Sequence, residues 1–119
     1  MTKILLVDDD SDLLLLLGRV LEGRGYQVYP VADGPSVLPT VGAVHPDIIV
    51  LDINLGPHNG TQICHDVKNN PAFHHIPVVL FSAMVSEAEA IKTCQADGFI
   101  EKPVSANLFI NKIESLIAA

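Results

Sequence analysis

Four carboxylates crowd into five positions near the amino terminus, at Asp8, Asp9, Asp10 and Asp12. The first two directly follow an apolar run, Ile4 to Val7, and a distant carboxylate, Asp52, closes another, Ile48 to Leu51. Ser82 ends a third run that begins at Val78, and Lys102 follows a fourth, Phe99 to Glu101. Carboxylates brought together repel one another, and without compensation at least one would stay protonated. A hard divalent cation, Mg²⁺ (or Mn²⁺), resolves that conflict, taking carboxylates, waters and phosphate oxygens as ligands. Asp8, Asp9 and Asp52 are the candidate metal residues, with the carbonyl of Asn54 as a further ligand. Lys102 adds a mobile ammonium and Ser82 a hydroxyl. A carboxylate nucleophile, a metal, an ammonium and a hydroxyl together make a site for phosphoryl transfer, where positioning and charge neutralisation lower the barrier.

These groups lie far apart in the chain, so a fold must gather them. Asp47 to Asn54 is the organising stretch: Pro46 precedes it, Gly56-Pro57 follows, and its middle is apolar without alternation. That pattern predicts a strand buried on both faces, as in the middle of a parallel sheet. Lys3–Val7, Tyr26–Val31, Val78–Ser82 and Phe99–Glu101 read as the other strands. Between them fall helical segments. Leu13 to Glu22 has Ser11 or Asp12 as its cap and Gly23-Arg24-Gly25 as its stop. A weak helix starts near Asp33-Gly34-Pro35 and is shortened by Pro39 and Gly42. Thr61 to about Asn69 forms another, and Ser86 with Glu89 opens one that runs to about Ala96. The last, Ser105 to Ile117, places Leu108, Phe109, Ile113, Leu116 and Ile117 at amphipathic spacing. Strict alternation implies parallel strands joined by right-handed crossovers, in one α/β domain over residues 1–119 with helices on both faces of the sheet. The carboxyl ends of the strands, where Asp8, Asp9, Asp52, Ser82 and Lys102 stand, then share one edge, the place where such sheets bind ligands.

Composition narrows the function. A net charge of −7 excludes general affinity for nucleic acid, which needs a basic surface. No apolar run reaches the length of a membrane span, and the amino terminus is too short before its acidic run for a signal peptide. Cys64 and Cys94 have no metal or redox spacing and read as helix-packing thiols in a reducing cytoplasm. His45, His65, His74 and His75 read as solvated residues, while His58, in the loop after Asp52, lies nearer the site without a role that the sequence assigns. On the first helix, Leu13, Leu16, Leu17, Val20 and Leu21 are expected to form the core stripe. Leu14 and Leu15 are then left as an exposed pair suited to a helical partner.

Taken together, Asp8-Asp9, Asp52 behind a hydrophobic strand, Gly60 eight residues later, Ser82-Ala83 and Lys102-Pro103 resemble the receiver domains of two-component response regulators. The resemblance covers the whole chain. It implies a flavodoxin-like, doubly wound (βα)5 sheet in strand order 2-1-3-4-5. It further implies that Asp52 accepts a phosphoryl group from a phosphohistidine on a histidine kinase or phosphotransfer protein. Asp9, Asp52 and the Asn54 carbonyl would hold Mg²⁺ directly and Asp8 through water, while Ser82, Lys102 and the Ala83 amide would meet the phosphoryl oxygens. Ser82 and Phe99 would be the switch residues, reshaping the face made by the fourth helix, fifth strand and fifth helix for an output domain or downstream protein. A cytoplasmic regulator follows, monomeric or weakly dimeric, that catalyses only its own phosphorylation and dephosphorylation. It would stand alone or be part of a longer protein.

The sequence also departs from the family. Gly56 stands where a loop proline is usual, with Pro57 after it, and Met84 occupies a position that tunes phosphoryl lifetime. Two other functions use similar residues. A haloacid-dehalogenase-like phosphatase shares the strand-end Asp, the lysine and Mg²⁺ but wants a second Asp where Asn54 stands. A phosphate-independent pseudo-receiver would have lost an acidic or lysine position, and none is lost. A flavodoxin-like cofactor binder would need a Ser/Thr/Gly-rich phosphate loop after the first strand.

Overall fold

The computed structural model describes residues 1–82, 94–102 and 105–117. Its strands are β1 (Lys3–Val7), β2 (Gln27–Val31), β3 (Ile48–Asp52), a short hairpin of β4 (Asn54–Leu55) and β5 (His58–Asn59), β6 (Val78–Ser82) and β7 (Gly98–Glu101). The helices among the described residues are α1 (Ser11–Glu22), α2 (Val37–Val44), α3 (Gly60–Lys68) and α4 (Ala106–Ile117). The helix expected from Ser86 falls largely outside the described residues, as do Ala83, Met84 and Pro103.

β2, β1, β3, β6 and β7 hydrogen-bond in that order as one parallel sheet. With the hairpin set aside, this is the expected 2-1-3-4-5 arrangement. β3 and β6 are buried along their whole length because both faces are covered. Alternate residues feed two cores. Leu5, Val7, Ile49, Leu51, Val78 and Leu80 pack with residues of α2 and α3. Ile4, Leu6, Ile48, Val50, Val79 and Phe81 pack with residues of α1 and α4. Each fully buried Leu, Ile or Val contributes about 1.5–3 kcal/mol, so the unbroken apolar character of β3 fixes it in the middle of the sheet.

Several local expectations are corrected. The cap of α1 is Asp10, whose carboxylate accepts from the amides of Asp12 and Leu13, so the helix starts at Ser11. Asp10 is closer to the end of β1, and its extended backbone aims its side chain at those open amides. On the same helix Leu14 is buried, and the exposed pair is Leu15 and Leu16, at 56% and 60%. The inward stripe runs through Leu14, Leu17, Gly18 and Leu21, one position away from the expected phase. Gly18 lies on that inward face against Val28 of β2, where an added Cβ would make ordinary van der Waals contact. Leu108 of α4 is also exposed, and the buried face of that helix is Phe109, Ile110 and Ile113.

α2 begins only at Val37, after a turn in which the Asp33 carboxylate accepts from the Ser36 amide. Pro39 sits in its first turn, where no intrahelical donor is lost. The stretch after Asp52, expected as a loop, is the β4–β5 hairpin, turned by Gly56 at a φ of 63°. At the opposite end of the sheet, Lys68 of α3 pairs with Asp97 and donates to the carbonyls of His74 and Ile76.

Candidate functional site

Four strand ends and the loops leaving them build the site. Asp8 is the first residue past β1, and its amide donates to the Val31 carbonyl, extending the β1–β2 ladder by one step. Both oxygens of its side chain are engaged: the Asp10 amide donates to Oδ1 at 2.9 Å and Lys102 Nζ to Oδ2 at 2.8 Å. Asp52 ends β3, and its Oδ1 accepts from the Asn54 amide at 3.1 Å while Lys102 Nζ lies 3.3 Å from its Oδ2. Asp8 and Asp52 are only 2% and 3% exposed. Asp9 faces solvent. One oxygen from each of Asp8, Asp9 and Asp52 falls within 4.8 Å of the others.

Gly60 brings α3 close against the backbone of Asp52 and Ile53. Its amide donates to the Ile53 carbonyl at 2.7 Å, so α3 begins directly against the chain leaving Asp52. A Cβ there would collide with the Asp52 carbonyl oxygen and the Ile53 Cα. The Asn59 side chain caps α3 by accepting from the Thr61 amide.

Lys102 follows β7, and its amide donates to the Ser82 carbonyl, tying the lysine to the end of β6. Burial disfavours the charge of its ammonium, but the hydrogen bond and charge of Asp8, then of Asp52, outweigh this and raise its pKa. It is therefore firmly cationic. Asp52 shows the opposite balance for its ionised form. Burial pushes its carboxyl up, the Asn54 amide pulls it down, Asp8 pushes it up and Lys102 pulls it down, with a net rise. Three carboxylates thus face one ammonium, and full ionisation leaves two negative charges uncompensated. A divalent cation supplies that charge, and the span of the three oxygens is close to the roughly 4 Å across an Mg²⁺ octahedron. The donor set, all hard oxygens with one solvent-facing member, fits such an ion.

Ser82, 1% exposed, ends β6 one residue beyond the register partner of Asp52. Phe99 lies in β7 opposite Leu80, half-buried against the core. Among the described residues, then, Asp8, Asp9, Asp52, Asn54, Ser82 and Lys102 all stand at or just past the carboxyl edge, and Ala83 lies outside them. His58 is exposed on β5 and packs beside Gly34, whose added Cβ would fall 2.8 Å from the His58 Cβ. His45, His65, His74 and His75 are solvent-exposed. Cys64 and Cys94 are buried in the α2–α3 core, the Cys64 thiol lies 3.5 Å from the Cys94 carbonyl, and burial pushes that thiol's pKa far up. Sequence reasoning missed one group, Phe81: Lys102 Nζ lies 4.7 Å from the centre of its ring. An unbroken apolar run gives no sign that its aromatic member meets a charged group.

A family model described as the response regulator receiver domain matches residues 4–114. The transcriptional regulatory protein YxdJ of Bacillus subtilis is 34% identical over 98% of this chain, which spans only 51% of that protein. The polar-differentiation response regulator DivK of Brucella ovis is 31% identical, with 98% of each chain covered. Among solved structures, a putative response regulator from Chloroflexus aurantiacus superposes with a TM-score of 0.92 at 24% identity, over 99% of this chain and 98% of that one. No helix among the described residues is long and apolar enough to cross a membrane.

Proposed function

Because the chain belongs to the response regulator receiver domain family, we propose that it works as a phosphorylation-dependent switch with Asp52 as its acceptor. A carboxylate oxygen of Asp52 attacks the phosphorus of a phosphohistidine on a kinase or phosphotransfer protein. The new O–P bond forms as the N–P bond breaks, and the imidazole leaves with the electron pair. The Lys102 ammonium, already between Asp8 and Asp52, moves onto the incoming phosphoryl oxygens, with the Ser82 hydroxyl and the Ala83 amide beside it. Asp9, Asp52 and the Asn54 carbonyl would hold Mg²⁺, and Asp8 would act through water. The metal supplies charge neutralisation for the transferring group.

The observation that carries this reading is the bridge from Lys102 Nζ to both buried carboxylates. It holds the groups of a phosphoryl-accepting site together before any donor arrives. Phosphorylation adds roughly −1.5 to −2 charge at Asp52, next to the end of β6. That charge biases Ser82 and Phe99 and, through them, the face that an output domain or downstream protein reads. Incubation with Mg²⁺ and acetyl phosphate should add one phosphoryl group per chain, read by intact mass, and chelation of the metal should prevent it. Turnover of many unrelated phosphoesters would instead favour a phosphatase.

The exposed Leu15–Leu16 pair lies on the helix that starts beside Asp8 and Asp9, where a helical phosphodonor protein would dock. Leu15→Glu is expected to slow transfer from such a partner about tenfold or more, the scale of a lost interface contact. Phosphorylation by acetyl phosphate should be unchanged. Equal loss in both assays would remove the docking role.

A further inference from the structure

Lys102 is held from two sides, and only one of them is acidic. Its Nζ faces the Asp8 and Asp52 carboxylates and also lies 4.7 Å from the centre of the Phe81 ring. Phe81 belongs to β6, is 2% exposed, and is the register partner of Asp52. Its ring packs against Phe109 of α4, with centroids 5.5 Å apart and planes tilted by 42°. That separation lies within the range of favourable aromatic pairs, and Phe109 is fully buried. The ring is thus fixed from behind by α4 while an ammonium lies over it. The face of an aromatic ring is electronegative and attracts a cation, most strongly where water is excluded. Aliphatic residues of equal volume would fill this place without that attraction.

We propose that Phe81 is a positioning residue for Lys102, and that Phe109 seats its ring. The assignment rests on the phosphoacceptor reading of the site and adds to it. The two carboxylates draw the ammonium toward the metal side, and the ring supplies a fixed attraction from the core side. Lys102 is thereby kept at one height above the sheet, from which it reaches phosphoryl oxygens on Asp52. The contact also links the lysine to α4 through a single pair of rings.

Stepwise fluorination of Phe81 tests this, because fluorine drains the ring face while keeping its shape. The rate of phosphorylation by acetyl phosphate with Mg²⁺ is expected to fall with each added fluorine, by about tenfold across the series. Phe81→Leu should match the most fluorinated form. In the unphosphorylated protein, the Lys102 Cε protons should resonate upfield of ordinary lysines, shifted by the ring current, and return to the usual position in Phe81→Leu. A rate that stays flat across the series, or ordinary Lys102 signals in the unsubstituted protein, would overturn the assignment. Failure of the unsubstituted protein to accept phosphoryl at all would overturn the proposed function instead. The Lys102 resonances would still decide whether the ring holds the ammonium.

Discussion

Gly60→Ala should lower stability by about 3 kcal/mol or more, the upper part of the range for forced overpacking. Its added Cβ would meet the Asp52 carbonyl oxygen and Ile53 Cα, and both are backbone atoms that no rotamer change can move aside. Relief requires α3 to slide away from β3, which breaks the 2.7 Å bond from the Gly60 amide to the Ile53 carbonyl. The peptide carrying Asp52 shifts with it. Thermal unfolding followed by circular dichroism should show a midpoint lower by roughly 10 °C or more for a domain of this size. Phosphorylation by acetyl phosphate should fall steeply in the fraction that remains folded. Gly25→Ala is the contrasting substitution: Gly25 has a φ of +90°, but nothing lies within 4 Å of its added Cβ. It pays only the left-handed penalty, about 1–2 kcal/mol. If the two variants melt together, close approach is not what Gly60 provides.

Asp52→Asn should abolish phosphoryl uptake and, in the absence of divalent ions, make the protein more stable at neutral pH. The sign follows from the raised carboxyl of Asp52, caused first by burial and then, against the pull of the Asn54 amide and Lys102, by the charge of Asp8. A carboxyl whose folded pKa is raised favours the folded state below its unfolded value, near 3.9, and loses that contribution as pH climbs through the raised folded value. At neutral pH the ionised group therefore costs stability, and the isosteric amide removes that cost. The gain should be about 1–3 kcal/mol, the scale of an imperfectly compensated buried polar group. It should shrink as pH falls toward 4. Saturating Mg²⁺ should close the gap from the other side by stabilising the unsubstituted protein, about 2.7 kcal/mol at a hundredfold excess over Kd. Urea midpoints at pH 4 and 7, with and without Mg²⁺, provide the check. A loss of stability in Asp52→Asn at pH 7 without metal would mean that Lys102 outweighs burial and Asp8.

Much of this was legible in the chain itself, and the failures have physical causes. β3 and β6 were readable because both of their faces are buried, which leaves unbroken apolar runs that only a central parallel strand tolerates. The residues ending β1, β3 and β6 and following β7 then had to share an edge, whatever the details of the loops. The phase of α1 was not readable. Five consecutive leucines carry no internal period, so packing against the sheet, not the pattern, decides that Leu14 turns inward and Leu16 outward. Asp10 as cap was hidden by an excess of good candidates, since Asp10, Ser11 and Asp12 can all cap. The β4–β5 hairpin was missed because two-residue strands are too short for alternation to show, although Gly56-Pro57 marked the turn. Phe81 was hidden for a further reason: its neighbour Lys102 is 21 residues away, on a different strand's end.

The most direct measurement locates the phosphoryl group. After treatment with Mg²⁺ and acetyl phosphate, borohydride reduction converts a phosphorylated aspartate to homoserine, which peptide mass spectrometry assigns to a position. Conversion confined to Asp52, and absent when the metal is chelated, is the predicted result. Conversion at Asp8, Asp9 or any other aspartate, or none at all, would contradict the account.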